Sequence, residues 1–530
     1  MHILSSKLQL TVLTVFFVAV MSPVCWASTY YVSSSSGNDS NSGLSSATAW
    51  TSVAKVNSSR FLPGDQILFK RGERWNNALV PSTSGTLGNP IVFGSFGSGA
   101  LPIIGETNAR AIDINDKSYI TMQELELHAL DRCISIGSWS NSQKQGITIV
   151  NNVMVSSAHG IYVTATSGGY DMVTISDNVI TPGHTALWQM GINFVVGVSN
   201  FVVSNNTIKP AGEDAIMIHK SSNGVISGNT LAGNVENSID VKNSHDIVIS
   251  HNNCSDDGEA NIVIHDADTA PNNLTYNITV EYNHCLTGGQ GDRAKQGYRI
   301  YAGIFAQYVD RCIIRNNWIE KAYGSGIFMT DLESASNNNE ITGNVIVDCG
   351  TGTGSMPQAG IELGDCVGTK VYNNTIFNQQ GTGGYGIYAA GGTHTLGIKI
   401  INNIVHTTGG DLIRVLAAAQ SGFVSDYNCF YPNNTGKFFW GTKYLTGFAD
   451  WQLKTASDTH SISSDPKFAD IAQHKFYLGA NSPCKGTGSN VGLNTDFNGN
   501  DISSLAVFNM GAFQFGVILH LQAPQNFRFI

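Results

Sequence analysis

Ile149-Val-Asn-Asn152-Val-Met154, Ile175-Ser-Asp-Asn178-Val-Ile180 and Val203-Ser-Asn-Asn206-Thr-Ile208 are three statements of one phrase. It consists of an aliphatic residue, two variable residues, Asn, one variable residue and an apolar residue. The phrase returns at Asn229, Asn252, Asn283, Asn317, Asn344, Asn374 and Asn403, with spacings of 26, 28, 23, 23, 31, 34, 27, 30 and 29. A period of this size with variable insertions marks stacked repeats. A second phrase follows each Asn: a small residue, Ile, any residue, then an aliphatic one. Examples are Gly160-Ile-Tyr-Val163, Ala215-Ile-Met-Ile218, Ser238-Ile-Asp-Val241, Asn261-Ile-Val-Ile264, Gly326-Ile-Phe-Met329 and Gly360-Ile-Glu-Leu363. Period-2 alternation of β-branched residues predicts strands. Each repeat is then one coil of an all-β, single-stranded parallel solenoid. Coils stacked about 4.8 Å apart place equivalent residues over one another. The Asn residues are expected to form a ladder and the Ile residues a core that no coil could bury alone.

The other bulk properties agree. Only 13% of the 530 residues are charged and the net charge is −10. That balance argues against nucleic acid as a partner. It leaves an acidic polysaccharide open, because the local groove decides that. Residues 1–27 read as a secretory signal peptide: Lys7 supplies the positive region, Leu10 to Met21 the apolar one, and Cys25-Trp-Ala27 a cleavage site. The expected location is extracellular, or periplasmic in a two-membrane bacterium. No later stretch is long and apolar enough to span a bilayer. Eight cysteines follow the signal. Cys254 and Cys285 each lie two residues after a ladder Asn and should stack as buried thiols; direct stacking does not assure the dihedral that a disulfide needs. No CxxC pair suggests zinc.

Taken in order, residues 28–113 form an N-terminal cap and first coils, 114–420 the parallel β-helix, 421–515 a C-terminal cap region and 516–530 a tail. The cap holds predicted strands at Tyr30–Val32 and Gln66–Lys70 and one short helix between Trp50 and Phe61. Ile120–Gln123 reads as a first imperfect rung. The opening Tyr30-Tyr-Val-Ser33 with Gly37-Asn-Asp39, then Pro63-Gly-Asp65-Gln-Ile-Leu-Phe69 and Gly88-Asn-Pro-Ile-Val-Phe93, resembles the start of exported right-handed β-helix proteins of the pectate-lyase-like group. Ser464-Asp-Pro-Lys-Phe468, Asp496-Phe-Asn-Gly499 and Met510-Gly-Ala-Phe513 resemble their C-terminal region. The resemblance implies a right-handed parallel β-helix, as does the handedness rule for parallel crossovers. The group holds polysaccharide lyases, epimerases, glycosidases and adhesins, so it implies a reaction only weakly.

Two columns of candidate residues follow from aligning the coils on Ile216, Ile239 and Ile262. Three residues before each stand Glu213, Glu236 and Glu259; three after stand His219, Lys242 and His265, and the second column continues to Gln307 and Thr330. Stacked carboxylates repel unless a cation, a basic partner or proton uptake relieves them. They point to a Ca²⁺ site completed by Asp214, with Asp257 or Asp240 in reserve; a solvated acidic edge is the alternative. Two charged imidazoles beside Lys242 are expected to lower its pKa and make it a base. Asp240, two residues earlier on the same face, is about 6.6 Å away and could orient a His or bind metal. On a straight strand the Glu column lies roughly 20 Å from the Lys column. The loop from Gly288 brings Arg293, Lys295 and Arg299 toward this face, with Gln307 and Asp331 as further substrate contacts, and Tyr301 falls in register with the Glu column.

A uronate lyase needs a base, a stabiliser of enolate-like charge and an acid. Lys242, Arg299 with Ca²⁺, and Tyr301 or a His could fill those roles. Gly212-Glu213-Asp214-Ala-Ile-Met217 resembles the acidic Ca²⁺ segment of the Ca²⁺-dependent pectate lyases that use a Lys base. Met217 stands where that pattern has a third acid, and Asp240 occupies the place of their base, two positions before Lys242. The Asp-Pro-His-Asp signature of mannuronan epimerases is absent. The expected function is therefore an exported polysaccharide lyase that cleaves an acidic glycan by β-elimination. The rivals are a glycoside hydrolase pairing Asp240 with Glu213 or Glu362, and a non-catalytic glycan-binding or matrix protein.

Overall fold

The computed structural model describes residues 27–165, 168–195, 197–266, 275–289, 301–330, 336–350, 352, 358–378, 384–392, 395–432 and 436–514. Residues 1–26, where the signal peptide is expected, residues 515–530, where the tail is expected, and Arg293, Lys295, Arg299 and Asp331 lie outside them.

Three long parallel sheets wrap one elongated core, as the repeat predicts. Each repeat coil contributes to all three sheets, some coils with two short strands in the first, as at Val309–Asp310 and Ile313–Arg315. In the coil of Asn229 the strands are Ser222–Ser227, Thr230–Ala232 and Ile239–Lys242. The sites discussed below lie on the third sheet, which includes Ile216–His219, Ile239–Lys242, Ala260–His265, Ala302–Gln307 and Ser325–Thr330. Every pairing between these strands is parallel and in register at the Ile: Ile216, Ile239, Ile262, Ile304 and Ile327 are successive neighbours and fully buried.

Each part of the first phrase has a physical reason. The ladder Asn is buried in every coil, and its backbone N–H and Nδ2 both donate to Oδ1 of the next Asn. For Asn229 and Asn252 these distances are 3.0 and 2.9 Å. The residue before it turns the chain between sheets and is left-handed at each rung: φ is 56° at Asn151, 57° at Asp177 and 54° at Asn205. Asn, Asp and Gly tolerate that conformation best, which is why Asn-Asn, Asp-Asn and Gly-Asn recur. The small residue that opens the second phrase has a steric cause. A Cβ at Gly326 would collide with Ile346 of the neighbouring sheet, and one at Gly360 with Ile376.

The ends extend the stack further than the repeat alone indicates. Strands Thr29–Val32, Gln66–Lys70 and Ile91–Phe96 pair in parallel with one another and then with Ile120–Gln123, so coiling begins near the start of the described chain. The short N-terminal helix spans Val53–Ser58. At the other end the ladder runs on to Asn428, and Lys437–Gly441 adds one more strand to the third sheet. There Asn428 N–H donates to Ser461 Oγ at 2.7 Å and its Nδ2 to Asp458 Oδ1 at 3.1 Å, so these two residues replace the missing next Asn. A helix at Phe448–Thr455 packs the fully buried Trp451 over the last coil.

All eight cysteines after residue 27 are buried and unbridged. Cys254 and Cys285 are direct neighbours, as their spacing predicts. Among the described residues no helix is long and apolar enough to cross a membrane.

Candidate active site

The two predicted columns exist. His219, Lys242, His265, Gln307 and Thr330 are register partners in turn along the third sheet. In the other column, Glu236 N–H donates to the Glu213 carbonyl at 3.2 Å and Glu259 N–H to that of Glu236 at 2.9 Å. Ala260 pairs with Ala302, so Tyr301 follows Glu259. The alternation of strand residues sends Asp240 and Lys242 to the same outer face.

Asp240 is the hub of the site. Lys242 Nζ lies 2.8 Å from one of its oxygens and His265 Nε2 3.1 Å from the other, with the carboxylate almost wholly out of water. Burial works against its charge, but His265 and then Lys242 outweigh burial and hold Asp240 below the usual carboxylate range. The same pairing corrects the expectation for Lys242. Burial disfavours its proton, yet Asp240 and Asp214 hold that proton on, above the ordinary lysine range. The imidazoles do not set its state; the carboxylates do.

The Glu column is also nearer than a straight strand allows. Glu213 contributes to the proton affinity of Lys242, and Asp240 and Lys242 both act on Glu259. On the third sheet that coil is extended only over Ile216–His219, and Glu213 sits before it, where the chain is still turning from the second sheet. Burial first, and Asp240 next, push Glu259 up to about 7. Asp214, fully buried, is raised well above the normal value by burial and then by Asp240.

The predicted metal ligands divide. Glu213, Asp214 and Glu236 offer carboxylate oxygens within 4.8 Å of one another, and Glu259 is outside that group. Asp214 Oδ1 accepts from Asn237 N and Nδ2 at 3.2 and 2.9 Å, whereas its Oδ2 is buried without a hydrogen-bond partner. Asp257 is not a candidate ligand: Ser238, Asn234 and Asn261 bond it at 2.7 to 2.8 Å inside the coil. Oxygen donors and an unbonded buried carboxylate oxygen suit a hard divalent cation, although three carboxylates fall short of the six to eight oxygens calcium takes.

Glu362, four strands from Asp240 in the same outward column, cannot pair with it: at strand spacing the separation is about 19 Å. It is buried, donates nothing while ionised, and accepts from Ser325 Oγ at 2.6 Å. Burial pushes it up to about 7.

Three residues of this face were not among the sequence candidates. Gln189 precedes Glu213 in its column, and its carbonyl accepts the Glu213 N–H at 3.1 Å. Trp188 N–H donates to Glu213 Oε2 at 2.7 Å. Asn193 precedes Met217 and Asp240 in the outward column. The signal was present, since Gly191-Ile-Asn-Phe194 repeats the second phrase and aligns all three.

The family model described as the right handed beta helix region matches residues 132–292 and 296–447. A lacto-N-biosidase of Bifidobacterium longum subsp. longum is 29% identical over 128 residues, covering 19% of this chain and 8% of the relative. Among solved structures, a lacto-N-biosidase from Eubacterium ramulus is similar at 16% identity and a TM-score of 0.33, over 78% of this chain and 65% of that one. An alginate lyase from Paenibacillus sp. is similar at 16% identity and 0.37, over 54% and 93%. The chain thus spans less than two thirds of either lacto-N-biosidase.

Proposed function

The chain belongs to the right-handed β-helix family, and from that premise we propose that it is an exported carbohydrate-active enzyme that hydrolyses glycosidic bonds. The observation that carries this reading is the 2.8 Å pairing of Lys242 with Asp240. A lysine whose proton is held by neighbouring carboxylates is a poor base for removing a proton from a sugar carbon, which counts against Lys242 as the base of a β-elimination. Hydrolysis needs one protonated and one ionised carboxyl group, and environments that push two carboxyls apart supply them. Glu259, near 7, is the proposed acid that protonates the glycosidic oxygen. Asp240 is the proposed ionised partner, attacking the anomeric carbon as the leaving oxygen takes the Glu259 proton, with water then hydrolysing the glycosyl ester. Lys242 and His265 keep it ionised and oriented. The partial similarity to a lacto-N-biosidase, a glycosidase by name, supports hydrolysis too.

The face is electronegative, so a neutral glycan fits without help. A uronate chain, the substrate class expected from the sequence, fits only with a bridging cation. Glu213, Asp214 and Glu236 would hold calcium, which would neutralise that cluster and attract a sugar carboxylate.

Product analysis tests the reaction. The mature protein is incubated with neutral and uronate polysaccharides, with and without chelator. Saturated reducing ends, lost in Glu259→Gln and Asp240→Asn, are expected. Unsaturated products lost in Lys242→Ala would restore the lyase, and glycan binding without turnover would leave a binding protein. Chelation that alters neither binding, turnover nor thermal stability removes the cation.

A further inference from the structure

Trp188 is 71% exposed, the most open tryptophan among the large exposed apolar residues. Its loop is nevertheless fixed. Gln189 Oε1 accepts the backbone N–H groups of Thr185 and Ala186, each at 2.8 Å, and its Nε2 donates to the Ser157 carbonyl at 2.8 Å. Trp188 itself has φ 65°, a conformation that bulky residues avoid. The bond from its N–H to Glu213 Oε2 helps hold it there. A rigid loop that strains its backbone to keep an indole in solvent is organised for contact rather than for packing.

The same coil carries a second, independent sign. Asn193 faces outward between Tyr162 and Met217 and is only 4% exposed, yet its Oδ1 has no hydrogen-bond partner. An unsatisfied buried amide oxygen costs free energy unless water or a ligand donates to it. Asn193 is two strands from Asp240 along the sheet, about 10 Å at strand spacing.

We propose that Trp188 and Asn193 form a binding subsite for one neutral pyranose ring of the glycan, on the N-terminal side of Asp240. The ring's apolar C–H face lies on the indole, and a hydroxyl donates to the Asn193 amide oxygen. A hydroxyl-rich ring with one apolar face meets both features; an aliphatic ligand leaves Asn193 unsatisfied and an anion meets the acidic column. The inference rests on the glycan-acting reading and names where the chain of sugars runs.

The test uses the mature full chain with xylohexaose, cellohexaose, chitohexaose and laminarihexaose as probes, measuring both calorimetric affinity and hydrolysis. Trp188→Ala is expected to weaken the best-bound probe by about tenfold or more, Trp188→Phe by about threefold or less, and Asn193→Ala by several-fold, with melting temperatures unchanged. Binding of no probe by the wild type, or equal binding by Trp188→Ala, overturns the subsite. Loss of binding in Trp188→Ala with no wild-type turnover keeps the subsite and sinks the hydrolase. Turnover with an unchanged KM in Trp188→Ala does the reverse. Retention of a partner protein that Trp188→Ala releases, with no probe bound, overturns the sugar assignment in favour of a protein contact.

Discussion

Replacing Asn252 with Ala tests whether the ladder holds the coils in register. Its Oδ1 accepts from Asn229 N and Nδ2 at 3.0 and 2.9 Å, and its Nδ2 donates to the Ile226 carbonyl at 2.9 Å and Asn283 Oδ1 at 3.0 Å. Alanine removes all four bonds. Two of the groups left behind keep other partners: Asn229 Nδ2 still reaches the Val203 carbonyl, and Asn283 Oδ1 still accepts from residue 252's backbone. The Asn229 N–H does not. A net contribution of about 1 kcal/mol for each of the three other lost bonds, with about 1–3 kcal/mol for the orphaned Asn229 donor, gives roughly 4–6 kcal/mol. That is a large fraction of the roughly 5–15 kcal/mol that stabilises a typical domain. Urea unfolding followed by circular dichroism measures it against Asn253→Ala, whose side chain is exposed one position away. The ladder variant should unfold at clearly lower urea, and the control should shift by under about 0.5 kcal/mol. Because the coils of Asn229 and Asn252 carry Lys242 and His265, any glycan activity should fall in Asn252→Ala before the whole rod unfolds. Equal midpoints for the two variants would refute the reasoning, since register would then come from apolar stacking alone.

Lys242→Met leaves the buried Asp240 carboxylate with His265 as its one basic partner and should cost about 3–5 kcal/mol in thermal or urea unfolding; a loss below about 1 kcal/mol would mean that water reaches the pair. Glu362 is raised from 4.5 to about 7 on folding, so the folded state keeps its proton longer than the unfolded chain. Its stabilising effect is full below about 4.5 and is lost as pH rises through about 7, a change of about 3 kcal/mol at most, and Glu362→Gln should flatten that part of the stability profile. The eight buried thiols should resist a thiol reagent in the native protein and react together on unfolding; rapid labelling of Cys254 or Cys285 in the native state would contradict their stacked positions.

How much of this was legible follows from where the side-chain period holds. Within Ile239–Lys242 the alternation of faces is reliable, so the register of His219, Lys242 and His265 could be read by counting. Outside those four residues the chain turns, and a strand-rise estimate from Lys242 to Glu213 overshot. The charge state of Lys242 was misjudged because counting down the column weighed its imidazole neighbours, whereas Asp240 pairs with it from its own strand and Asp214 acts from the turn of an adjacent coil. Asn428 escaped the ladder because Ser425 stands where the phrase has an aliphatic residue. The structure gives that serine another use: its Oγ accepts from Asn428 Nδ2 at 3.1 Å.

The Asn column also has a direction. Along the Asn-to-Asn series every rung gives its backbone N–H and one Nδ2 hydrogen to the next Asn and accepts on Oδ1 from the one before, and Ser461 with Asp458 terminates the series. As the polypeptide emerges, the growing tip always shows ungratified donors, and the residues that quench them come only after the last ladder Asn. A chain stopped at residue 445 is therefore expected to be a sticky template, recruiting a second copy's carbonyls end to end. Sedimentation that found only monomers of that shortened chain would show that the tip can satisfy itself.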